Sequence, residues 1–116
     1  MQKESEVRCR KRGDKKICLC PVEGIINVIS KKWALLIIGT IGNNERIRFN
    51  RIMEELGEIS SKTLADRLKE LEKAGLIKRE VFAEIPPRVE YSLTQDGIEV
   101  RDSMIPLIEW ASKKEV

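Results

Sequence analysis

Hydrophobic residues recur along the first two thirds of the chain with the spacing of helices, and later with that of strands. One helix is predicted to begin at Cys20-Pro21, because proline suits the first helical position. A second, apolar almost all round, should cover residues 31–41 and end at Gly42-Asn43-Asn44. A third stripe of apolar residues consists of Phe49, Ile52, Met53 and Leu56. Three helices are therefore expected before residue 57.

The segment that follows predicts a helix-turn-helix. Gly57 should stop the third helix, and Ser60 is a suitable N-cap for a new one. Ile59 precedes that cap and is placed to pack on Leu64 as a hydrophobic staple. The new helix carries a narrow apolar stripe of Leu64, Leu68 and Leu71. Its other faces are polar, as in a helix that reads DNA.

From Leu76 the period changes to two, which indicates a β-hairpin. The motif Pro86-Pro87-Arg88 interrupts the alternation and should form an arginine-bearing tip. Thr94 is placed to cap a last helix that is apolar on two sides and contains Pro106. The predicted class is mainly α with a small β-hairpin: a winged helix-turn-helix domain over residues 20–113, preceded by a flexible basic arm at 1–19. The excess apolar surface predicts a homodimer through the N-terminal and C-terminal helices.

Composition excludes several kinds of function. The 116 residues suffice for one domain, and the absence of histidine excludes Ser/His and Cys/His catalytic pairs. The longest apolar run has six residues, so neither a membrane span nor a signal peptide is expected, and a cytoplasmic protein is. The basic excess lies in residues 1–17, which hold seven Lys or Arg against three acidic residues. Nucleic-acid binding must therefore be argued from individual charges in the folded part.

Candidate DNA contacts lie on the fourth helix and beside it. Ser61, Lys62, Thr63 and Arg67 are expected to face bases and nearby phosphates, with Lys69 further along the same face. The other three candidates are Arg46 and Arg48, placed to touch phosphates, and Arg88, placed to enter a minor groove from the hairpin tip. A solvated helix face and surface arginines would account for each of these residues alone. Together with the turn and the hairpin they favour a DNA-binding regulator, and no enzyme, metal site or cofactor is expected.

Several motifs, in matching order from about Cys20 to Ala111, resemble the HxlR-type winged-helix transcription regulators, which are MarR-like. They are Cys20-Pro21-Val22-Glu23, Lys32-Trp33-x-Leu35-Leu36-Ile37, Arg48-Phe49-Asn50, Ile59-Ser60-x-Lys62-x-Leu64 and Pro86-Pro87-Arg88-Val89-Glu90-Tyr91-x-Leu93-Thr94. The resemblance implies a dimeric, sequence-specific DNA-binding regulator without enzymatic activity. Two residues depart from the family pattern. Lys31 stands where Gly is frequent, and Arg51 stands where an acidic residue is usual.

Cys20 is the remaining candidate for chemistry. Some proteins of the resembled family sense oxidants or electrophiles through a cysteine at this position, and a helix N-terminus near Lys15 and Lys16 would favour its thiolate. A small buried hydrophobe that caps the helix is the simpler interpretation. Two alternatives to DNA binding stay open: a winged-helix protein-interaction module, and a thiol oxidoreductase using Cys18 and Cys20. Zinc binding by Cys9, Cys18 and Cys20 is disfavoured, because no fourth ligand of the usual kind is present.

Overall fold

A computed structural model describes residues 24–114, which form five helices and one two-stranded sheet. The elements are α1 (Ile25–Ile29), α2 (Ala34–Asn44), α3 (Phe49–Leu56), α4 (Ser61–Lys73), β1 (Ile77–Phe82), β2 (Arg88–Leu93) and α5 (Gln95–Ser112). The order of a helix-turn-helix followed by a hairpin and a terminal helix confirms the predicted fold class. The predicted start of the first helix at Cys20-Pro21 lies outside the described residues, and so does the arm at 1–19.

The core forms where α2 meets α3, α4 and the hairpin. Ile37, Ile38 and Ile41 of α2 are fully buried, which agrees with a central helix that is apolar almost all round. The predicted stripe of α4 is buried as a whole: Leu64, Leu68 and Leu71. Ile59 and Leu64 lie in this same cluster, as the staple requires. Burial of these side chains supplies the main driving force for folding and holds α4 on the domain by one face.

The second helix differs from the prediction at both ends. It begins at Ala34 instead of residue 31, because Trp33 adopts a left-handed conformation (φ 80°) and residues 31–33 form a turn. It continues past Ile41 to Asn44, the last residue of the predicted terminating motif, and the Asn44 side-chain amide donates to the Thr40 carbonyl at 2.7 Å. A side chain at Gly42 would meet Arg101 of α5. The glycine therefore allows a close approach between helices and does not mark an end.

The hairpin pairs in antiparallel register from Ile77 opposite Leu93 to Phe82 opposite Arg88. The predicted alternation through Ala83 and Ile85 is wrong, since β1 ends at Phe82 and Ile85 is fully exposed in the connection. The location of Arg88 at the tip is wrong as well. It is the first residue of β2, so strand pairing and not the loop sets its position.

Hydrogen bonds attach both neighbours of the hairpin to it. Ile47 forms a bridge with Tyr91 of β2, with N–H to carbonyl distances of 3.0 and 2.8 Å. Thr94 caps α5 as predicted: its hydroxyl accepts from Gly97 N–H at 3.0 Å and donates to the Gly75 carbonyl at 2.6 Å. The loop before α3 and the start of α5 are thereby fixed beside the hairpin.

Candidate nucleic-acid interface

The helix-turn-helix presents α4 through hydrogen-bonded ends. Ser60 caps its start as predicted, with its side-chain oxygen accepting from Thr63 N–H at 3.1 Å. At the other end, Gly75 has φ 81° and donates to the Glu72 carbonyl, while Leu76 N–H donates to the Leu71 carbonyl, both at 3.0 Å. These two bonds form a Schellman motif. The helix is therefore defined at both termini and attached to the core along its leucine stripe.

The N-terminal turn of α4 exposes part of the predicted reading surface. Ser61 is exposed, and the Lys62 side chain retains 85% of its accessible area. Lys62 Nζ lies 3.2 Å from Asp66 Oδ2, an exposed pair of a kind that stabilises little, so the ammonium can exchange this carboxylate for another partner. Thr63 is half-buried, and its hydroxyl accepts from Ser60 Oγ at 3.0 Å. Lys62 is thus an accessible cation with an exchangeable partner, whereas Thr63 helps to close the cap.

Arg67 has a different environment from the other predicted contacts. Its side chain is 22% exposed and turns toward the segment that precedes α2. Nε donates to the Lys32 carbonyl at 3.1 Å, and Nη1 donates to Glu70 Oε1 at 3.4 Å. The guanidinium is held by the protein itself, while its predicted contact to DNA stays a prediction.

Lys69 lies opposite a second cation that sequence reasoning missed. Lys69 and Arg79 line a cavity of about 300 Å³ between α4 and the hairpin, whose walls include Phe49, Leu68 and Tyr91. Both cations are exposed. Arg79 pairs across the sheet with the buried Tyr91, so strand register aims it at α4. Its place on the same strand face as Ile77 and Val81 was visible in the sequence, but the approach of this face to Lys69 depends on how the hairpin packs against α4.

Arg46 and Arg48 lie beside the start of α3. Arg48 precedes the first residue of that helix and is exposed. Arg46 is 56% exposed and lies 3.7 Å from Glu90 and 3.9 Å from Glu80, both on the hairpin. The two arginines line a polar groove of about 510 Å³ together with Asn44, Asn50, Arg51 and Glu54. The structure brings them to the same side of α3, next to the wing.

Arg88 is part of an ion-pair cluster on the hairpin. Its guanidinium carbon lies 4.2 Å from the centre of the Phe82 ring, and Nη1 lies 2.6 Å from Glu84 Oε2. Nε lies 3.2 Å from Glu90 Oε2, yet within the described residues it is a buried donor without a hydrogen bond of good geometry. Two carboxylates and an aromatic ring therefore hold this arginine along the strand. The side chain does not project from a tip.

Arg51, the departure near the proposed DNA face, is also compensated locally. Its Nε donates to Glu55 Oε2 at 2.9 Å, one helical turn away. That hydrogen bond holds the pKa of the Glu55 carboxyl below its ordinary value and raises the pKa of Arg51. Both shifts favour the charged forms that the two groups already have at neutral pH. The extra positive charge expected at this position is largely cancelled by its neighbour.

Two further predictions concern the rest of the chain. None of the helices between residues 24 and 114 combines the length and apolar character needed to cross a membrane. Cys20, the candidate for redox sensing, lies outside the described residues, as do Cys9 and Cys18.

Comparison with known proteins places the fold and these residues in a family. The model of the HxlR-like helix-turn-helix family matches residues 28–115. An uncharacterized HTH-type transcriptional regulator of Synechocystis sp. is 38% identical over 89 residues, which are 77% of this chain and 65% of that protein, slightly less than two thirds of its length. A possible HxlR family transcriptional factor from Thermoplasma volcanium superposes with a TM-score of 0.76 at 36% identity, covering 88% of this chain and 91% of the other.

A second structural match is to a redox regulator. The redox regulator HypR in its oxidized form superposes with a TM-score of 0.77 at 33% identity, covering 84% of this chain and 99% of HypR. The resemblance drawn from the sequence motifs is thereby confirmed. The chain belongs to the HxlR-like helix-turn-helix family of transcriptional regulators.

Proposed function

We propose that the protein is a transcriptional regulator that binds double-stranded DNA in a sequence-specific manner. The observation that carries this proposal is the presentation of α4: one face is buried by leucines, and the exposed N-terminal turn offers Ser61 and Lys62. An α-helix fits the major groove, and side chains of its N-terminal half reach base edges. Arg48, Lys69 and Arg79 flank the helix and are suited to phosphates.

The wing contributes in a different way from the sequence-based expectation. Arg88 would have to leave Glu84 and Glu90 before it could enter a minor groove. Three acidic residues of the hairpin, Glu80, Glu84 and Glu90, pair with Arg88 or with the neighbouring Arg46 and reduce the attraction of this face to phosphate. We therefore assign Arg88 to the stiffness of the wing in the free protein. Its minor-groove contact is a second step that follows exchange of these carboxylates for DNA.

A second copy of the chain is the occupant that we propose for the apolar groove between α1 and α5. This groove has a volume of about 610 Å³ and is lined mainly by aliphatic side chains, including Ile25, Ile26 and Leu107. The exposed Ile108 and Trp110 continue the apolar surface along α5. A two-fold pair built on this surface would carry two copies of α4. Two reading helices about one helical turn, ~34 Å, apart fit a roughly palindromic operator.

A selection experiment tests the proposed function. The parent protein would be incubated with random-sequence duplexes, and bound DNA would be recovered and sequenced through several rounds. Enrichment of a roughly palindromic sequence is expected. Recovery without any preferred sequence would contradict the proposal and would favour the protein-interaction module instead, because a DNA reader must prefer its site over random duplex.

Replacing Lys62 by alanine is expected to weaken binding to the selected operator by about 5- to 150-fold, the equivalent of one base or phosphate contact of ~1–3 kcal/mol. Lys73→Ala is the matched control, since it removes the same charge from the exposed last turn of the same helix. Fluorescence anisotropy at several salt concentrations measures both variants. Equal weakening of both would mean that only the total charge matters, and the orientation of α4 would then be wrong.

A response to oxidants through Cys20 is a second, finer proposal. The resemblance of the Cys20-Pro21 motif to a sensing position and the structural match to the redox regulator HypR support it. We expect mild peroxide or diamide to change operator affinity of the parent and to leave that of Cys20→Ser unchanged. Cys9→Ser is the control for general thiol modification. Identical affinities of oxidised and reduced parent protein would refute the response.

A further inference from the structure

The contacts of Arg67 and Glu70 join α4 to the turn between α1 and α2. Arg67 Nε donates to the Lys32 carbonyl at 3.1 Å. Glu70 uses both carboxylate oxygens, with Oε1 3.4 Å from Arg67 Nη1 and Oε2 3.1 Å from Lys31 Nζ. The side chains of Arg67, Glu70 and Lys31 are 22, 34 and 42% exposed. This group, which we call the α4 clasp, connects residues 35 to 39 positions apart in the chain.

The turn that the clasp holds has an unfavourable backbone. Trp33 has φ 80° and ψ −17°, a left-handed conformation that a bulky side chain rarely adopts. Such conformations persist where the surrounding structure determines them. Ala34 N–H donates to the Lys31 carbonyl at 3.0 Å within the turn, and Arg67 binds the next carbonyl, that of Lys32. The clasp therefore spans two elements that each need support: a strained turn and a helix attached by one face.

We propose that Arg67 and Glu70 are positioning residues that set the orientation of the reading helix α4, with Lys31 as the third member of the clasp. This inference rests on the proposed function and changes the role assigned to Arg67. Two of the five N–H donors of Arg67 bind a carbonyl and a carboxylate within the protein, and the side chain is only 22% exposed, so the guanidinium is held toward the turn. Lys31 stands where the resembled family frequently has Gly, and its ammonium lies 3.1 Å from Glu70 Oε2.

Two explanations predict opposite effects on DNA affinity when Glu70 is removed: one considers only its charge, and the other considers its role in orienting α4. If electrostatics alone governed binding, removing an acidic residue from the DNA-facing helix would strengthen the attraction to phosphate. If Glu70 orients α4, its removal weakens binding because the helix loses its tie to the turn. Glu72 is the matched control. It is an exposed glutamate two residues further along the same helix, where it shares a cavity with Lys69 and Arg79.

The binding experiment compares Glu70→Ala, Glu72→Ala, Arg67→Ala and Arg67→Lys on the selected operator over a range of salt concentrations. Glu70→Ala and Arg67→Ala are expected to bind about 3- to 10-fold more weakly, the effect of one net hydrogen bond, with the salt dependence of the parent. Glu72→Ala should bind more tightly than the parent. Arg67→Lys should not restore affinity, because one ammonium cannot reach both the carbonyl and the carboxylate in the forked geometry.

Two results would overturn the inference. One is a Glu70→Ala protein that binds as tightly as Glu72→Ala. The other is an Arg67→Ala protein for which the slope of log affinity against log salt is smaller in magnitude by about 0.9 than for the parent. A change of that size indicates the loss of one phosphate contact on duplex DNA.

Hydrogen exchange in the absence of DNA separates this inference from the proposed function. Amides of α4 should exchange faster in Glu70→Ala than in Glu72→Ala, because a helix released from the turn opens more often. Equal exchange in the two variants would overturn the clasp whatever the DNA result. A parent protein without operator preference, but with the expected exchange difference, would refute the proposed function and leave the clasp as a structural tie of α4.

Discussion

Replacing Leu107 and Ile108 together by glutamate is expected to produce monomers and to weaken operator binding by at least about 100-fold. Leu107 is 56% exposed and lines the groove shared with α1, and Ile108 is 41% exposed on the neighbouring surface of α5. Charged groups at these positions could not be buried between two copies without a large desolvation cost. Loss of the pair removes the advantage of binding two half-sites at once, which is worth about 10²–10⁴ in affinity.

Sedimentation equilibrium at micromolar concentration measures the assembly, and anisotropy on the selected operator measures the affinity. Lys113→Glu is the charge-matched control, because it lowers the net charge by the same two units at an exposed position of the C-cap of α5. It should remain a dimer. A double variant that still sediments as a dimer, or a parent protein that sediments as a monomer, would show that the groove is not the surface joining two copies.

The second large effect concerns the start of α5. Gly97 is buried, and a Cβ atom placed on it would overlap the backbone carbonyl of Leu76. That carbonyl also accepts a hydrogen bond from Thr94 N–H at 3.1 Å, so it cannot move without disturbing the cap of the helix. Gly97→Ala should therefore lower the free energy of unfolding by about 3 kcal/mol, the upper end of the usual range for overpacked core sites.

Thermal unfolding followed by circular dichroism checks this expectation, with a midpoint lower by about 10 °C or more. Gly39→Ala is the control in the interior of α2. A Cβ there would meet only the terminal carbon of the flexible Met104 side chain at 3.1 Å, and alanine favours a helix over glycine by about 1 kcal/mol. Its midpoint should equal or exceed that of the parent. Equal midpoints for the two alanine variants would mean that the α5 start adjusts freely.

Local signals were sufficient wherever the chemistry of one or two residues decides the structure. Ser60 and Thr94 are strong N-caps, and both accept the expected backbone hydrogen bonds. The leucine stripe of α4 could be read from spacing alone, because only one helical face can bury it. Because of these features, the predicted fold class and the predicted position of the reading helix are both confirmed.

The errors arose where distant contacts override a local preference. The sequence predicts Gly42 as part of a helix stop, yet it lies within α2. A glycine is needed there because Arg101 of α5 packs closely against it. Trp33 looked helical, yet the turn before α2 places it at positive φ. Arg88 looked like a free tip residue, and Glu84, Glu90 and Phe82 hold it on the strand. None of these partners could be assigned from spacing, since each depends on strand register or helix packing.

The same limitation affected the candidate site. Lys62 could be identified because its exposure follows from helical spacing alone, without knowledge of any contact to another element. Helical spacing places Arg67 on a shoulder beside the leucine stripe and Lys62 opposite it, but the inward direction of Arg67 depends on the Lys32 carbonyl in a separate segment. Arg79 was missed for the opposite reason. It looked like an ordinary polar strand residue until the register placed it across from Tyr91 and toward Lys69.

The location of Trp33 in the turn before α2 makes its indole an intrinsic fluorescent reporter of that turn. The chain contains two tryptophans, and they lie in contrasting surroundings: Trp110 is 58% exposed on α5, whereas Trp33 is half-buried with the Lys32 ammonium 5.7 Å from its ring. Substituting Trp110 with phenylalanine would leave a single indole in the turn that contacts α4. Indole emission shifts with the polarity and charge around the ring. The wavelength of the Trp33 fluorescence maximum would therefore report changes in the turn when DNA is added to unlabelled protein.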